Sequence, residues 1–486
     1  MIYKLRPYQE ECVKSISDYI NSDRHNPVLI VGPVGCGKSL LIAEAARLMG
    51  DKTLILQPSK ELLQQNHDKI TSYGIPATIY SASCGKKELS NMIYATLGSI
   101  KKVVDKLKEM GIRNVLIDEA HAGYSPEDGS EFMTFMNELK PKKVIGFTAT
   151  PCRLKNMSIG QTSYSQLNFI TRMRPVYFKN LIHVIQVEEM IRQGFWTPLK
   201  YETWDFNGDA LKLNSNGSEY TAESISEAVR KNGLNNLILR RLMVLKDVCR
   251  SILVFMDSVE SCNTAAEWMN AKICAGMAEV VHGGTPKKQR EAIVEGFKSG
   301  KTKVVFNYSA LGTGFDHPGL DCVIVGRPTF SFSSFYQWLG RAVRIKDGKD
   351  SALVVDCCNN SSRFGDIRKL SIENYKGYGW GMFIGDKLIT NIPMGDKVTK
   401  TDLDIKAAKK DRRRGLAQGV TAAPVPGRPD HPLGSTVMTF GKYCGWMFHS
   451  IPVSYFKFIN ETFDWDNDRN KDIKEYIDFL IKNNRL

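Results

Sequence analysis

The octapeptide GPVGCGKS, which begins at Gly32, has the spacing of a phosphate-binding loop, G-x-x-x-x-G-K-[ST]. Its other glycines, Gly35 and Gly37, would help backbone N–H groups to close around phosphate oxygens at a helix N-terminus. Lys38 would reach the β and γ phosphates of a nucleotide, and Ser39 would ligate Mg²⁺. An apolar run, VLIVG, leads into the loop, and a helical pattern, SLLIAEAARLM, follows it. A glycine-rich turn in an ordinary sheet protein would not require a strand before it and a helix after it. The presence of both therefore favours nucleotide binding.

Two adjacent carboxylates, Asp118 and Glu119, end the apolar stretch of LIDEAH. Parallel sheets present ligands at the carboxyl ends of their strands, so we expect this pair to lie beside the phosphate loop. We assign Asp118 to Mg²⁺ and Glu119 to polarising the attacking water. On its own the pair is equally compatible with an acidic strand end, but the upstream phosphate loop favours a catalytic role.

These side chains need strands and helices to position them, and the sequence supplies two series of both. Short β-branched runs alternate with helical patterns, which is the βαβ signature of a parallel sheet covered by helices on both faces. In the first half the runs are 28–32, 53–58, 114–118 and 144–150. In the second half they are 251–256, 278–283, 303–309, 322–326 and 352–358. The pattern therefore predicts two tandem α/β domains.

With these motifs in place, the chain resembles a superfamily 2 helicase of the DEAH type, over almost all of its length up to residue 358. Among such helicases it looks most like the XPB-like and phage branch-migration helicases. The resemblance implies an α/β fold of two tandem RecA-like domains with parallel sheets, plus a small C-terminal accessory domain.

The resemblance also implies roles for further residues. Those that would contact the nucleotide are Arg6, Gln9, Gly314 and Asp316. Those that would contact the nucleic-acid backbone are Pro58, Lys60, Thr96, Gly312 and Thr313. Those that would couple hydrolysis to domain movement are His121, Thr148 and Thr150. As an isolated residue, His121 is equally explained as a hydrogen-bonded polar group at a strand end.

The segment QWLGRAVR matches the helicase pattern Q-x-x-G-R-x-x-R, with Gln337, Arg341 and Arg344 at its fixed positions. Two arginines three residues apart share one face of a helix, so two guanidinium groups could approach one phosphate. Such arginine fingers stabilise the charge that develops on the γ-phosphate, here from the second domain across a cleft. Two solvent-exposed arginines on a helix would be the simpler explanation of an isolated pair. The fixed spacing of these arginines from Gln337 disfavours that explanation.

Composition shifts along the chain predict its domain boundaries. We expect the first RecA-like domain over residues 1–205, a polar linker over 206–240, the second RecA-like domain over 241–395, a basic linker containing Pro and Gly over 396–436, and an aromatic-rich accessory domain over 437–486. The block KAAKKDRRR at 406–414 is either a solvated linker or a set of additional phosphate contacts.

The accessory segment resembles a small F-G-K-Y-x-G module that is appended to some nucleases and phage proteins. Its aromatic residues Phe440, Tyr443, Trp446 and Phe448 could stack on bases beside Lys442, or contact a protein partner. For most of them we favour packing in the core of a domain that has few other apolar side chains. Apolar spacing at Ile473, Ile477 and Leu480 predicts a terminal helix.

The formal net charge of +14 favours a polyanionic partner, although many basic proteins bind no nucleic acid. The 11 cysteines form no C-x-x-C pair or zinc spacing, so a reducing compartment is expected. With no signal peptide or long apolar run in the sequence, we expect a soluble protein of the cytoplasm, or of the host cytoplasm if phage-encoded.

These observations favour an ATP-dependent DNA helicase or translocase that uses ATP and Mg²⁺, works as a monomer and remodels duplex, forked or branched DNA. An RNA helicase remains open, because contacts to phosphates do not distinguish the two sugars. An ATP-switched clamp that binds nucleic acid without separating strands also remains open. A simple P-loop kinase would not need the second domain's arginine motif.

Overall fold

The structure is a computed structural model that describes residues 4–50, 52–159, 162–311, 315–407, 432–436, 438, 443, 446–462 and 471–483. The chain divides into two compact units. The larger comprises Met1–Tyr375 with Gly379–Val398, and the smaller comprises Lys376–Tyr378 with Thr399–Leu486.

The larger unit contains two α/β domains, of which the first is built on an eight-stranded, mostly parallel sheet. Its strands are β1 (Val28–Val31), β2 (Thr53–Leu56), β3 (Thr78–Ser81), β4 (Lys86–Lys87), β5 (Met92–Ala95), β6 (Asn114–Ile117), β7 (Lys143–Thr148) and β10 (Asn180–Val184), in the order β10-β1-β7-β6-β2-β5-β3-β4. Its helices are α1 (Pro7–Asn21), α2 (Lys38–Met49), α3 (Lys60–Ser72), α4 (Leu97–Ile100), α5 (Val104–Glu109), α6 (Glu131–Leu139) and α7 (Val187–Arg192). Strands β1, β2, β5, β6 and β7 are buried along their whole length, as expected for a sheet covered on both faces.

The second domain is built on a six-stranded sheet whose strands all run parallel. Its strands are β11 (Leu199–Thr203), β12 (Ile252–Phe255), β13 (Ala278–His282), β14 (Val304–Tyr308), β15 (Cys322–Val325) and β16 (Ala352–Asp356), in the order β11-β16-β15-β12-β14-β13. Its helices are α8 (Ala222–Lys231), α9 (Leu234–Val248), α10 (Val259–Lys272), α11 (Lys287–Ser299), α12 (Phe332–Leu339) and α13 (Asn360–Phe364). The predicted fold of two tandem α/β domains is confirmed, with every predicted strand within three residues of its expected ends.

The boundary between the domains differs from the predicted polar linker over 206–240. The chain enters the second sheet already at β11, which pairs along its whole length with β16. Within the predicted linker, α8 and the start of α9 bury Ile225, Val229 and Leu234 in the core of the second domain. The polar composition of 206–224 belongs to a loop on the surface of this domain, so the sheets are joined by residues 185–198 instead.

The end of the expected second domain returns to the first domain. After α13 come the short antiparallel strands β17 (Leu370–Tyr375), β18 (Gly379–Ile384) and β19 (Lys387–Leu388). Gln186 of the first domain donates to the Ile372 carbonyl and accepts from the Ile372 N–H. Asn391 is hydrogen-bonded to Leu167 and Phe169 in the hairpin of β8 (Cys152–Ile159) and β9 (Thr162–Phe169). Residues 367–395 therefore link both domains; we call them the strap.

The smaller unit contains a separate core built around two helices, Val453–Thr462 and Lys471–Lys482. Phe448, Phe456 and Tyr476 are almost fully buried in it, and so are Ile473, Ile477 and Leu480, the residues whose spacing predicted the terminal helix. Trp446 and Phe458 are exposed. Aromatic residues of this unit therefore pack as a core. The predicted Phe440 and Lys442, and most of the basic block at 406–414, lie outside the described residues.

Membrane-spanning helices and clusters of metal ligands are both absent from the described part of the chain. None of its helices is both long and apolar enough to span a membrane. The same residues contain no group of three or more His, Cys, Asp or Glu side chains arranged to hold a metal ion.

Candidate active site

The phosphate loop connects the buried strand β1 to the N-terminus of α2. Gly35 and Gly37 have φ angles of +81° and +83°, a left-handed conformation that side chains with a Cβ rarely adopt. A Cβ on Gly37 would lie 2.6 Å from the Gln9 amide nitrogen, so the loop also needs glycine there for space. A Cβ on Gly32 would lie 2.6 Å from Cys36 Sγ in the same loop. The loop thus has the backbone of a phosphate cradle at the positive end of a helix.

The acidic pair follows β6, which lies two strands from β1 in the sheet. Glu119 has a φ of +45° and places a carboxylate oxygen 3.3 Å from the Lys38 ammonium nitrogen. Burial opposes ionisation of Glu119, but the nearby Lys38 and His121 outweigh it and lower its pKa to about 2. Burial, together with the charge of Glu119, raises the pKa of Asp118 to about 7. The two neighbouring carboxyl groups therefore differ in proton affinity.

A buried asparagine that the sequence analysis missed joins the two predicted magnesium ligands. The Ser39 hydroxyl donates to Asn66 Oδ1 over 2.6 Å, and Asn66 Nδ2 donates to Asp118 Oδ2 over 2.9 Å. Asn66 is carried by α3 and is 3% exposed. The serine and aspartate oxygens thus lie on either side of one small amide group, and hard oxygen ligands suit Mg²⁺. The residues fit a magnesium ion held between Ser39 and Asp118.

The predicted nucleotide contacts Arg6 and Gln9 lie beside the loop at Cys36 and Gly37. Gln9 donates from its side-chain nitrogen to the Cys36 carbonyl and accepts from the Arg6 N–H, both over 2.9 Å. The Arg6 guanidinium lies 4.5 Å from the centre of the Phe195 ring, a cation–π contact. Phe195 comes from the segment between the two sheets, and no motif in the sequence indicated it.

The second domain supplies the opposite wall through the end of α12. The backbone of Gly340 packs directly against the phosphate loop, because a Cβ there would lie 2.4 Å from Val34 Cγ2. Arg341 donates to the Phe315 carbonyl over 2.6 Å, and Arg344 pairs with Asp316 at 2.6 Å. Burial and the charge of Arg344 lower the pKa of Arg341 to about 10, so the guanidinium remains protonated at neutral pH.

One expectation about these arginines is wrong. The spacing predicted that both share one helical face, but α12 ends at Leu339 with Gly340 as its C-cap. Arg341 therefore lies in a turn and Arg344 in irregular structure beyond the helix. Because Gly340 packs closely on the phosphate loop, it fixes the position of the backbone that carries Arg341 and Arg344.

The three predicted coupling residues meet at one hydrogen-bond network that crosses between the domains. His121 Nδ1 is bonded to the Thr148 hydroxyl over 2.8 Å, and it lies 3.4 Å from a Glu119 oxygen. On its other side, His121 Nε2 is bonded over 3.1 Å to the hydroxyl of Ser333 in the second domain. Thr150 is bonded to the same Ser333 hydroxyl over 3.1 Å. Ser333 is a second residue that the sequence analysis missed.

Both walls enclose one cavity of about 410 Å³. Its lining includes the predicted residues Arg6, Gln9, Gly35, Gly37, Lys38, Ser39, Asp118, Glu119, Asp316, Gln337, Arg341 and Arg344. A phosphate loop, three carboxylates and three arginines therefore face the same space.

The predicted nucleic-acid contacts lie elsewhere. Pro58, Lys60 and Thr96 follow β2 and β5, two paired strands, at the carboxyl edge of the first sheet. Pro58 and Lys60 are exposed, and none of the three lines the nucleotide cavity. The remaining predicted contacts, Gly312 and Thr313, and the predicted nucleotide contact Gly314 lie outside the described residues.

Comparison with protein families agrees with this two-domain arrangement. Residues 2–153 match the model described as "Type III restriction enzyme, res subunit", and residues 235–346 match the "Helicase conserved C-terminal domain". Together the two matches take in more than half of the chain and the walls of the cavity. The chain belongs to the superfamily 2 helicases.

Individual relatives are distant. The chain is 25% identical over 332 residues to a 51.5 kDa protein of a Lactococcus phage, covering 68% of this chain and 65% of the relative. It is 23% identical over 378 residues to the protein IRC3 of Saccharomyces cerevisiae, covering 74% and 52%. It is 25% identical over 376 residues to "ATP-dependent DNA helicase Hel308" of Pyrococcus horikoshii, covering 69% and 49%. The chain therefore spans between about half and two thirds of the length of these relatives.

A similar fold occurs in the solved structure of "ATP-dependent Type ISP restriction-modification enzyme LlaBIII bound to DNA". The TM-score is 0.54 at 14% sequence identity, and the match covers 86% of this chain and 30% of that chain. At this identity the similarity concerns the fold alone.

Proposed function

We propose that this protein is a DNA-dependent ATPase that moves along DNA and unwinds or remodels duplex, forked or branched substrates. The observation that carries the proposal is the cavity lined from both domains, with a phosphate loop and an acidic pair on one wall and Arg341 and Arg344 on the other. A binding loop alone would explain nucleotide affinity. Arginines from a second domain are needed when hydrolysis is to depend on how the domains are arranged.

The assigned residues divide the hydrolysis of ATP between them. Lys38 would bind the β and γ phosphates, and Ser39 and Asp118 would hold Mg²⁺. When bound, this ion neutralises charge on the phosphate oxygens. The ionised Glu119 would orient the attacking water, and Arg341 and Arg344 would stabilise the negative charge of the transition state. In the structure Lys38 is paired with Glu119, so nucleotide phosphates would compete with Glu119 for the ammonium.

The network around His121 supplies a route from hydrolysis to movement. His121 lies beside Glu119, and its hydrogen bond to Ser333 ends in the second domain. A change in charge or position at the γ-phosphate would first shift the Glu119 carboxylate. Through His121, that shift would then change the hydrogen bond to Ser333. Cycles of closing and opening would then shift the grip of each domain on a bound strand.

Two observations support a polynucleotide substrate, and the names of two similar proteins favour DNA. The net charge of +14 favours a polyanion. Pro58, Lys60 and Thr96 lie together at one sheet edge, where they could contact a strand of backbone. The relative Hel308 is named as a DNA helicase, and the structure of the fold neighbour LlaBIII was solved with bound DNA.

We also propose that the protein belongs to the DEAH subtype, near the XPB-like and branch-migration helicases. We propose that it works as a monomer, because one chain forms both walls of the site.

ATP hydrolysis should be measured with single-stranded DNA, duplex DNA, forked DNA and RNA of matched sequence, together with displacement of a labelled strand. We expect stimulation by DNA, with displacement on the fork. Stimulation by RNA alone would replace the proposal with an RNA helicase. DNA stimulation without displacement would favour a translocase or an ATP-switched clamp. Failure of every polynucleotide to stimulate hydrolysis would contradict the proposal.

A further inference from the structure

Helix α9 carries an apolar stripe on the side that faces away from the core of the second domain. The residues on its core-facing side are buried: Leu234, Ile238, Leu242 and Leu245. On the opposite side, Leu237, Val244 and Val248 follow one another along a single face and are 42%, 54% and 71% exposed. Eleven large apolar side chains are exposed among the described residues, and four of them, these three and Met243, lie on this one helix. Exposed apolar residues gathered in this way mark an interaction surface.

The stripe borders a groove of about 440 Å³ between α9 and the end of β11, the edge strand of the second sheet. Trp204, which directly follows β11, lines the groove opposite Leu237. Its indole nitrogen donates to one oxygen of Glu202 over 2.9 Å, and Arg241 of α9 donates to the other oxygen over 2.6 Å. One carboxylate therefore ties both walls together, so the groove exists before a ligand binds.

The groove has an unneutralised positive charge at its rim. Arg241 is compensated by its ion pair with Glu202. Arg240 also lines the groove and is exposed, and among the described residues no carboxylate pairs with it. The acidic residue of α9, Asp247, is already paired with Lys246 at 2.8 Å. Arg240 is therefore available to an acidic group of a ligand.

A second cation lies further along the same groove. Trp204 lies beside Leu237, near the start of α9. One turn later in the helix, Arg241 contacts Glu202, which lies two residues earlier in the chain. Strand and helix thus run in opposite directions. Lys200 is exposed and shares a face of β11 with Glu202, so it lies towards the C-terminal end of α9.

We propose that this groove binds an amphipathic helix of a partner protein, whose apolar face meets α9 and whose carboxylates pair with Arg240 and Lys200. The stripe from Leu237 to Val248 is about 16 Å long, or three helical turns, and a second helix packed alongside would cover it. Recognition of an amphipathic helix by an apolar groove is a common mode of binding. None of the groove residues lines the nucleotide cavity, so the inference does not rest on the proposed function.

Other occupants match the surface less closely. In a second copy of this chain, α9 packed against α9 about a twofold axis would bring the two arginines at the middle of the stripe, Arg240 and Arg241, close to their own copies. Like charges would then oppose the contact. A membrane is nearly flat on this scale and could not enter the groove beside Trp204. A separate acidic helix satisfies both the shape and the charge.

The test begins with selection of peptides of about 16 residues from a random displayed library on the immobilised full chain. An excess of competitor DNA covers surfaces that bind polyanions. We expect the selected peptides to share apolar residues at helical spacing together with Asp and Glu. One of them, synthesised with a fluorescent label, then serves as the probe in anisotropy titrations.

Val244→Asp places a carboxylate in the middle of the apolar stripe and should weaken binding of this probe by at least about tenfold. Trp268→Ser is the matched control, because Trp268 is an exposed apolar residue of the neighbouring helix α10 that does not line the groove. It should bind the probe like wild type. Both substitutions are at exposed positions outside the nucleotide cavity, so unchanged ATP hydrolysis verifies the fold.

Reversal of charge tests the rim. Arg240→Glu should weaken the acidic probe by at least about tenfold and should bind a second probe, in which Lys replaces each Asp and Glu, more tightly than wild type does. A merely structural role of Arg240 would not produce this exchange of preference. The affinity of wild type for the acidic probe should also fall as salt is added.

Four results would overturn the proposal. The first is a selection that enriches no acidic amphipathic peptide, and the second is equal affinity of the probe for wild type and Val244→Asp. The third is dimerisation of wild type that Val244→Asp abolishes, which would assign the groove to a second copy. The fourth is sedimentation with vesicles of phosphatidylcholine and phosphatidylserine that the same substitution abolishes, which would assign it to a membrane.

Discussion

Glu119 combines a strained backbone with a carboxylate that stays ionised. A φ of +45° is uncommon for a residue with a side chain, and such strain persists mainly where function requires the position. Lys38 at 3.3 Å and His121 at 3.4 Å stabilise the negative charge. A water-polarising group must be unprotonated at neutral pH, and the lowered pKa of Glu119 provides this.

Glu119→Gln should therefore separate binding from hydrolysis. The amide keeps the shape of the side chain but loses the charge that orients water, so we expect ATP affinity within a few-fold of wild type and a kcat reduced at least a hundredfold, on the order of general-base losses. Nucleotide binding by fluorescence and steady-state phosphate release measure the two effects. Turnover at the wild-type rate would show that another group polarises the water.

Asn66 should set the magnesium requirement of the site. Asn66→Ala removes the amide that joins Ser39 to Asp118, so the two oxygens lose their common restraint. We expect the Mg²⁺ concentration needed for half-maximal ATP binding to rise several-fold. Gln57→Ala is the matched control, because Gln57 contacts the same amide from outside this bridge. An unchanged Mg²⁺ titration of Asn66→Ala would leave Asn66 as an ordinary buried hydrogen-bonding residue.

The sequence predicted the residues whose chemistry depends on close spacing and did not predict the isolated ones. Lys38, Asp118 and Arg341 each stand in a short pattern whose spacing has a mechanical reason. Asn66 and Ser333 contribute through hydrogen bonds made at long sequence separation, 52 residues from Asn66 to Asp118 and 212 from Ser333 to His121. A lone polar residue on a helix has no spacing pattern, so only the fold reveals these two.

At the scale of elements, the contact between α12 and the phosphate loop determines the width of the cleft. Gly340 allows the end of the helix to approach Val34 closely enough to place Arg341 in the cavity. The indole nitrogen of Trp196 donates to the Val34 carbonyl over 2.8 Å, which holds the loop from the other side. The width of the cleft therefore depends on the close approach of the two backbones as well as on the charged groups.

Gly340→Ala should hold the two walls apart. Its new methyl group would meet Val34 at less than van der Waals distance, so Arg341 would be withdrawn from the nucleotide. We expect kcat to fall at least tenfold with little change in ATP affinity, as measured by phosphate release and analogue binding. Val34→Gly removes the opposing side chain and should restore part of the activity in the double variant. Equal kcat in wild type and Gly340→Ala would contradict the close-packed interface.

Nine strands of the two sheets could be predicted because buried parallel strands are continuous apolar, β-branched runs. The sequence analysis missed β3, β4, β5, β10 and β11. Helices α8 and α9 were missed at their start, since the polar segment 206–224 directs attention away from the apolar spacing of Ile225, Val229 and Leu234. The hairpin of β8 and β9 was missed because its strands are largely polar. The hydrogen bond between the hairpin and the strap residue Asn391 explains its position, and this contact is visible only in the fold.

On the scale of the whole molecule, the larger unit carries every described residue assigned to the nucleotide. The strap bonds to Gln186 and to the β8–β9 hairpin, so both domains are tied together by residues 185–198 and by 367–395. Two connections restrict how far the cleft can open. The sequence predicted two domains but not the second connection, because a few backbone hydrogen bonds leave no compositional signal.

Removal of the smaller unit should affect nucleic-acid binding and not basal hydrolysis. Deletion of residues 400–486 should leave basal ATP turnover within a few-fold of wild type. Affinity for all polynucleotides should weaken, and the salt slope should flatten by about 0.9 for each duplex phosphate that the basic block neutralises in the full chain. Deletion of 437–486 alone keeps that block. If the shorter deletion binds duplex, fork and single strand as wild type does, the aromatic unit makes no contact with nucleic acid.

The central claim is that one cavity, formed by both domains, hydrolyses ATP under the control of DNA. The direct measurement is steady-state ATP hydrolysis by wild type and Arg341→Ala, with and without DNA, alongside binding of an ATP analogue. Arginine fingers contribute about 10³–10⁵ to kcat in related chemistry. We therefore expect DNA to stimulate wild type, and Arg341→Ala to bind nucleotide normally but lose at least a hundredfold in DNA-stimulated turnover. Wild-type turnover in Arg341→Ala would show that the second domain does not complete the site.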